Sequence, residues 1–248
     1  MKIAIISINK NTEKLAKKLK PSFENAKIFS GRMAQKCVLK NLVGGIFKEY
    51  EGLIFIGALG IAVRLISPFI KNKLSDPAVV SVDSAARFAI SVLSGHEGGA
   101  NKLAFLAASY LGALPIVTTG KEVHKKFILG IGTRRGIDSH SVERAIKKAI
   151  KKKRIKLEDV RMVATVDLKK NERGLIKGCS DLDLPLFFIP KESIRNFKGD
   201  ISVSEVVRRN IGLDGVCEPC ALLAGRRAKL ILKKEILGHV AVAIAREG

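Results

Sequence analysis

The stretch LIFIGALGIAVRLISPFI, residues 53–70, decides the fold class of this chain. It is nearly long enough to span a membrane, but it holds Arg64 near its middle, Gly57 and Gly60 in its first half and a proline near its end. A membrane-spanning helix needs about 20 apolar residues without a charge at its centre. We therefore predict a buried strand over residues 53–58, then a glycine turn and the start of a helix.

The rest of the chain alternates between patterns typical of strands and patterns typical of helices. Short apolar runs predict strands, and segments whose apolar residues share one helical face lie between them. The predicted strands cover residues 3–8, 53–58, 78–82, 88–93, 115–118, 127–131, 162–166, 186–189, 229–232 and 239–245. Asp138 is predicted to cap a helix. Buried strands interleaved with helices indicate a mostly parallel sheet covered on both faces.

The length of 248 residues suits two small domains. We predict an α/β fold of two domains, residues 1–119 and 127–248, each a mostly parallel sheet with flanking helices. The short, charged segment of residues 120–126 is the predicted linker.

The chain is strongly basic. It has 45 Lys and Arg residues against 23 Asp and Glu, a formal net charge of +22, of which +9 lies before Gly120 and +13 from Gly120 onward. A field of this sign favours polyanions, whether nucleic acid, anionic lipid or a small molecule with many carboxylates or phosphates. The hydrophobic content of 47% excludes global disorder.

The four cysteines do not make a disulfide scaffold. Cys217 and Cys220 form a single Cys-x-x-Cys pair, which cannot complete a four-ligand zinc site, and Cys37 and Cys179 have no metal-ligand spacing. Packing is the favoured interpretation, and we expect no metal site. Because the first apolar run is too short for a signal-peptide core, we expect a soluble cytoplasmic protein with no membrane partner.

A cluster of glycines and polar residues, SGHEGGAN at residues 94–101, lies between a predicted strand and a predicted helix. Glycines let a backbone approach a ligand closely, and a helix N-terminus presents free N–H groups to an anion. The cluster can supply a general base, His96 or Glu97, and oxyanion donors from backbone N–H groups and Asn101. A tight turn with capping side chains is the alternative, and we favour function.

Three arginines and a lysine are candidates for holding an anion. Arg64 has apolar surroundings in the sequence, and a partly buried guanidinium needs a carboxylate partner from the protein or a ligand. Arg134 and Arg135 lie in a strand-to-helix loop, where α/β sheets bind ligands. Lys169 follows another predicted strand, and a salt-bridged loop explains it equally well.

Several of these motifs together resemble the CbiG family. The first half carries GALGIAVR (57–64), SP (67–68), KLSDPAVV (73–80), VD (82–83), RF (87–88), LSGH (93–96) and GGANKLA (98–104). The second half carries GIGTRRG (130–136), TVDLK (165–169), ERGL (172–175) and VCEPCAL (216–222). The resemblance implies an N-terminal-like domain over residues 1–119 and a C-terminal-like domain over residues 127–248. Longer members carry a middle segment, so the resemblance is to a short form that lacks it.

The resemblance also implies a function. CbiG proteins are cobalt-precorrin-5A hydrolases of anaerobic cobalamin biosynthesis, which open the ring A acetate–C20 δ-lactone and release C20 with its methyl as acetaldehyde, giving cobalt-precorrin-5B. The catalytic candidates are then His96, Asp76 and Glu97. The substrate-binding candidates are Arg64, Ser94, Gly98, Gly99, Asn101, Arg134, Arg135 and Lys169. Cobalt is carried by the substrate, so no cofactor is implied; the partners are this anionic polycarboxylate corrinoid and, in transient contacts, neighbouring pathway enzymes.

Two functions from other classes stay open. A basic RNA-binding module would explain the charge, but the sequence has no zinc finger or RNP-like motif, no tryptophan and only 5% aromatic residues for base stacking. A nucleotide-binding regulatory protein would use the turn between Gly57 and Gly60, which lacks the full dinucleotide or P-loop pattern. We therefore expect no nucleic-acid partner.

Overall fold

The computed structural model of the protein describes residues 1–30 and 36–248. The chain forms two compact units, Met1–Thr119 and Gly120–Gly248, and each contains its own mixed β-sheet with flanking helices. The predicted α/β class is therefore confirmed. Residues 120–126, predicted as a linker, include a 3-10 turn over Gly120–His124.

The first unit alternates strands and helices around a six-stranded sheet. The strands are β1 (Ile3–Ser7), β2 (Ala26–Ser30), β3 (Gly52–Ile56), β4 (Ala78–Val82), β5 (Phe88–Leu93) and β6 (Leu114–Ile116). The helices are α1 (Lys10–Leu19), α2 (Lys36–Glu49), α3 (Leu59–Ile66) and α4 (Ala100–Leu111). The strand order is β2-β1-β3-β4-β5-β6, and each neighbouring pair is parallel except β4 and β5.

The core of this unit lies between the sheet and its helices. Every residue of β1, β3 and β4 is buried, as expected for central strands covered on both faces. On one face, Leu53 and Phe55 of β3 pack with Val43 and Phe47 of α2 and Ile66 of α3. Fully burying each such side chain contributes about 1.5–3 kcal/mol.

The hairpin of β4 and β5 sets where the loop after β5 lies. Val79 pairs with Leu93 in the antiparallel register. The turn is held by Asp83, whose carboxylate accepts hydrogen bonds from the backbone N–H groups of Arg87 (2.6 Å) and Phe88 (2.8 Å). The carboxyl end of β5 therefore lies at the edge of the sheet where β1, β3 and β4 begin.

The second unit is built on a five-stranded sheet. Its strands are β7 (Phe127–Thr133), β8 (Val160–Val166), β9 (Leu186–Ile189), β10 (Lys229–Leu237) and β11 (Val240–Arg246). Its helices are α5 (Ser139–Lys152), α6 (Arg173–Asp181), α7 (Lys191–Arg195), α8 (Glu205–Ile211) and α9 (Cys217–Leu223). The strand order is β10-β11-β7-β8-β9, in which β7, β8 and β9 are parallel and β11 is antiparallel to both of its neighbours.

Two glycines let helices of the second unit approach backbone directly. A Cβ atom at Gly130 of β7 would lie 1.7 Å from the carbonyl oxygen of Cys217, and one at Gly174 of α6 would lie 1.7 Å from the carbonyl oxygen of Ile137. No side chain fits at such a distance. Helix α9 therefore packs on β7, and α6 packs on the loop that leads into α5.

Candidate functional site

The loop between β5 and α4, residues 94–99, lies beside the residues that precede β4. A Cβ atom at Gly98 would be 3.3 Å from the carbonyl oxygen of Asp76 and 2.6 Å from the Cβ atom of Ser94. The antiparallel pairing of β4 and β5 causes this contact, because it places the end of β5 next to the start of β4. The structure thus brings together Asp76, Ser94 and Gly98, which are separated in the sequence.

Ser94 carries two unfavourable features. Its backbone is left-handed, with φ of 54°, and its side chain is buried. Across the part of the chain that the structure describes, its hydroxyl has no hydrogen-bond partner. Left-handed backbone at a non-glycine residue costs of order 1–3 kcal/mol, and such strain clusters at functional sites.

Asn101, in the first turn of α4, forms hydrogen bonds that hold the loop in place. Its Oδ1 atom accepts a hydrogen bond from the Ser91 hydroxyl (2.9 Å), and its Nδ2 atom donates to the Thr119 hydroxyl (2.9 Å). The Asn101 backbone N–H donates to the Gly95 carbonyl (2.9 Å). Both ends of the Asn101 amide are therefore engaged within the protein, and this side chain joins the carboxyl end of β5 to the residue that closes the first unit.

The backbone N–H groups of Gly98 and Gly99 differ in whether they already donate a hydrogen bond within the protein. The Gly98 N–H donates to the Ser94 carbonyl (3.1 Å). Among the described residues, the Gly99 N–H has no acceptor, and Gly99 adopts φ of 85° at the N-cap of α4. Gly99 is thus the better placed of the two to donate to an oxyanion.

The titratable groups of the loop region differ in exposure. His96 and Glu97 are exposed, and the Glu97 carboxylate lies 3.4 Å from the Lys73 ammonium. The pKa of Glu97 is lowered, first by a hydrogen bond from its own backbone N–H, then by Lys73 and least by His96. This side chain is therefore a carboxylate at neutral pH. Asp76 is buried, and its two oxygens accept the Lys71 backbone N–H at 3.1 and 2.9 Å.

Arg64 does not join this loop, and its predicted partial burial is wrong. Ala62 and Ile66 are the buried residues of helix α3, and Arg64 lies on another face of the helix, where it is exposed. Its Nη1 atom is 3.7 Å from the position of a Cβ at Gly60, near the carboxyl end of β3 and at the opposite sheet edge from Ser94. Within the described ranges, Arg64 has no carboxylate partner.

The second unit has a separate basic cluster at the carboxyl ends of β7 and β8. Arg134 and Arg135 are exposed in the loop after β7. In the loop after β8, the Lys169 ammonium lies 3.1 Å from the Glu172 carboxylate, in the salt bridge that the alternative interpretation of this loop expected. Glu172 also accepts the Gly136 backbone N–H at 3.0 Å. Glu172 was not among the predicted site residues.

Cys179, Cys217 and Cys220 are packing residues in the structure, and the side chain of Cys37 lies outside the part that the structure describes. Burial raises the pKa of Cys217 to about 12 and that of Cys179 to about 12, and it raises the pKa of Cys220 as well. These three thiols are free and buried. In residues 1–30 and 36–248, no three His, Cys, Asp or Glu side chains are grouped so that they could hold a metal ion.

No described helix is long and apolar enough to cross a membrane.

Comparisons with known proteins identify both units. The N-terminal domain of the cobalamin synthesis G family matches residues 41–122, and the C-terminal domain of the same family matches residues 127–245. A protein of Priestia megaterium named cobalt-precorrin-5A hydrolase is 24% identical over 323 residues, which covers 90% of this chain and 84% of that protein. That alignment is longer than the 248 residues of this chain, so the relative carries residues that this chain lacks within the aligned region.

Two further relatives have similar names. A cobalt-precorrin-5A hydrolase of Salmonella typhimurium is 52% identical over 79 residues, 32% of this chain and 22% of that protein. A probable cobalt-precorrin-5A hydrolase of Methanocaldococcus jannaschii is 28% identical over 283 residues, 82% of this chain and 87% of that protein. Since the two family domains match most of both compact units, the chain belongs to the CbiG family.

Proposed function

We propose that this protein is a cobalt-precorrin-5A hydrolase of cobalamin biosynthesis. In this reaction the δ-lactone between the ring A acetate and C20 is opened, and C20 leaves with its methyl as acetaldehyde to give cobalt-precorrin-5B. The observation that carries the proposal is the similarity along both units to proteins named for this activity. The loop of residues 94–99 supplies residues suited to its first step.

Lactone opening requires an activated water and a donor for the tetrahedral oxyanion. His96 is exposed and can take the proton of a water that attacks the lactone carbonyl. Glu97 interacts electrostatically with His96 and is ionised, so it stabilises the imidazolium that forms. We assign Glu97 this supporting role, and the Gly99 N–H the role of oxyanion donor. The products of this step are the ring A acetate and a free C20 hydroxyl.

Acetaldehyde loss requires a base for the C20 hydroxyl proton. As that proton leaves, the C20–oxygen bond becomes a carbonyl, the bond from C20 to the macrocycle breaks, and its electron pair passes to the macrocycle. Asp76 is a candidate for this proton because its backbone carbonyl lies beside the loop and its side-chain oxygens accept the Lys71 backbone N–H. His96 is the other candidate, once it has returned its first proton.

The test is direct. Purified protein is incubated with enzymatically prepared cobalt-precorrin-5A, and released acetaldehyde is assayed together with the mass of the pigment. Acetaldehyde with the matching mass loss is expected. The His96→Ala and Asp76→Asn variants should lose about 100-fold or more in turnover, as for a general acid or base. The matched control is His140→Ala, an exposed histidine on α5 of the second unit.

Other outcomes would overturn parts of the proposal. Near-normal turnover in both folded variants would remove His96 and Asp76 from the mechanism. Tight substrate binding without acetaldehyde would indicate a corrinoid-binding role, and absence of binding would overturn the assignment. RNA affinity that falls steeply with salt and shows no sequence preference would reflect charge attraction alone.

A further inference from the structure

The carboxyl edge of the sheet in the second unit concentrates positive charge. Three loops meet there, because β7, β8 and β9 are parallel and end on the same side. In α/β sheets, ligands bind outside the carboxyl ends of the strands. The cationic residues in or next to these loops are Arg134, Arg135, Lys169, Lys170, Arg173 and Lys191.

The acidic side chains of these loops do not neutralise the two arginines. Asp138 caps α5 by accepting the Ser141 N–H (2.8 Å), and Asp167 accepts the Lys191 backbone N–H (3.2 Å). Arg134 and Arg135 are exposed and have no ion pair with any residue that the structure describes. Two exposed arginines that are neighbours in the sequence and lack acidic partners are candidates for binding an anion, since a guanidinium binds a carboxylate through two parallel hydrogen bonds.

Glu172 connects the loop that carries these arginines to the loop after β8. One carboxylate oxygen accepts the Gly136 N–H at 3.0 Å, and the other lies 3.1 Å from the Lys169 ammonium. The Glu172 and Lys169 side chains are mostly buried, with exposed fractions of 11% and 17%. A partly buried, hydrogen-bonded carboxylate of this kind restrains the backbone immediately after Arg135.

Further contacts restrain the backbone on both sides of the hydrogen bond between Gly136 and Glu172. Gly136 adopts φ of 71°, and Gly174 lies against the Ile137 carbonyl, so the residues on either side of the hydrogen bond are closely packed. Because the Lys169 ammonium is paired with Glu172, it stabilises the conformation of the loop. The two arginines are then the residues that would contact the anion.

We propose that Glu172 is a positioning residue, which holds the loop of Arg134 and Arg135 as a binding site for the carboxylates of a polycarboxylate tetrapyrrole. The identity of the natural ligand rests on the proposed function, but the site does not depend on catalysis. A ligand with several carboxylates gains affinity from two arginines whose backbone is already restrained, because less conformational freedom of the loop is lost on binding.

The experiment uses the full chain and uroporphyrin, a tetrapyrrole with eight carboxylates, titrated by fluorescence at constant salt. The double variant Arg134→Gln/Arg135→Gln should bind about tenfold or more weakly, since charge-assisted hydrogen bonds are lost. The matched control is Arg226→Gln/Arg227→Gln, an adjacent and exposed arginine pair that precedes β10 and lies at the opposite edge of the same sheet. It removes the same charge and should change binding less than twofold.

Glu172 is tested with two variants. Glu172→Ala removes the acceptor of the Gly136 N–H and should weaken uroporphyrin binding several-fold, whereas Glu172→Gln retains an oxygen acceptor and should restore most of it. In the acetaldehyde assay, Glu172→Ala should raise KM for cobalt-precorrin-5A and leave kcat within about twofold, as for lost uniform binding.

Equal weakening by the two arginine pairs would show attraction by net charge and overturn the site. Unchanged binding in Glu172→Ala, or a fall of kcat with no change in KM, would overturn the positioning role. If the wild-type protein binds uroporphyrin through Arg134 and Arg135 but releases no acetaldehyde, the proposed function fails and the binding site stands. If the wild-type protein releases acetaldehyde but does not bind uroporphyrin through Arg134 and Arg135, the binding site fails and the proposed function stands.

Discussion

Ser94 stands out at the scale of single residues, because it keeps a buried hydroxyl where that group has no partner among the described residues. A buried polar group left unpaired costs about 1–3 kcal/mol, and alanine would avoid that cost. Its left-handed backbone adds strain at the same position. Strained and unsatisfied residues are more frequent at ligand-binding and catalytic sites than elsewhere.

We expect Ser94→Ala to leave the free energy of unfolding unchanged or to raise it by up to about 1 kcal/mol, because no hydrogen bond is lost. The same variant should lower the rate of acetaldehyde release about tenfold, as for the loss of one hydrogen bond to substrate. Denaturant unfolding and turnover are measured on the same preparation.

Thr165→Val is the matched control for Ser94→Ala. The Thr165 hydroxyl is also buried but donates to the Ile131 carbonyl at 2.8 Å. Its loss should destabilise the protein by about 1 kcal/mol. A comparable loss of stability in Ser94→Ala would show that its hydroxyl is satisfied in solution and has a structural role.

Close backbone contacts between elements determine how the helices of the second unit sit on their neighbours. Gly174→Ala places a methyl group where the Ile137 carbonyl oxygen lies, so α6 must move away from the loop that leads into α5. We expect a loss of about 3 kcal/mol or more in the free energy of unfolding, in the range of strong overpacking. The measurement is denaturant unfolding followed by circular dichroism.

Gly45→Ala provides the contrast in the first unit. Gly45 lies within α2, and a Cβ there meets no atom within 4 Å. Alanine in a helix interior is favoured over glycine by about 0.5–1 kcal/mol, so this variant should be more stable than the wild type. Similar effects of the two glycine substitutions would contradict the packing described for α6.

Helix α9 carries the Cys-x-x-Cys pair as part of the core. Because burial raises the pKa of Cys217 to about 12, its thiol stays protonated at pH 8, and thiolate is the reactive form. In a Cys37→Ser background we expect Cys179, Cys217 and Cys220 to resist a thiol reagent at pH 8 in the native protein. All three should react after denaturation. Fast native labelling of Cys217 would instead indicate a redox pair.

Among the elements, those with strong local signals were predicted best. The predicted strands at β4, β5 and β9 have the observed bounds, and Asp138 caps α5 as predicted. The prediction missed β2 and did not place α2 or α6 to α9, whose apolar residues are few or interrupted by charged residues, glycine or proline. The five residues between β4 and β5 are the signal for a hairpin, and they could have placed Asp76 beside Ser94.

At the scale of the whole molecule, the net charge of +22 attracts anions over long distances. We expect kcat/KM for cobalt-precorrin-5A to fall as salt is raised from about 20 mM to about 500 mM, mainly through KM, because added salt shortens the Debye length and screens the attraction. Steady-state kinetics across this range provide the measurement. Constant kcat/KM would show that the surface charge has no part in substrate capture.

The sequence alone determined the α/β class and the residues available for chemistry, because apolar periodicity, helix caps and glycine turns act over a few neighbouring residues. The tertiary structure decided which of those residues meet. The antiparallel pairing of β4 with β5 places Ser94 against Asp76 and leaves Arg64 at the opposite sheet edge. The bond from Gly136 to Glu172 likewise joins loops that follow different strands. Strand direction and register depend on contacts between distant parts of the chain, and local sequence patterns do not contain them.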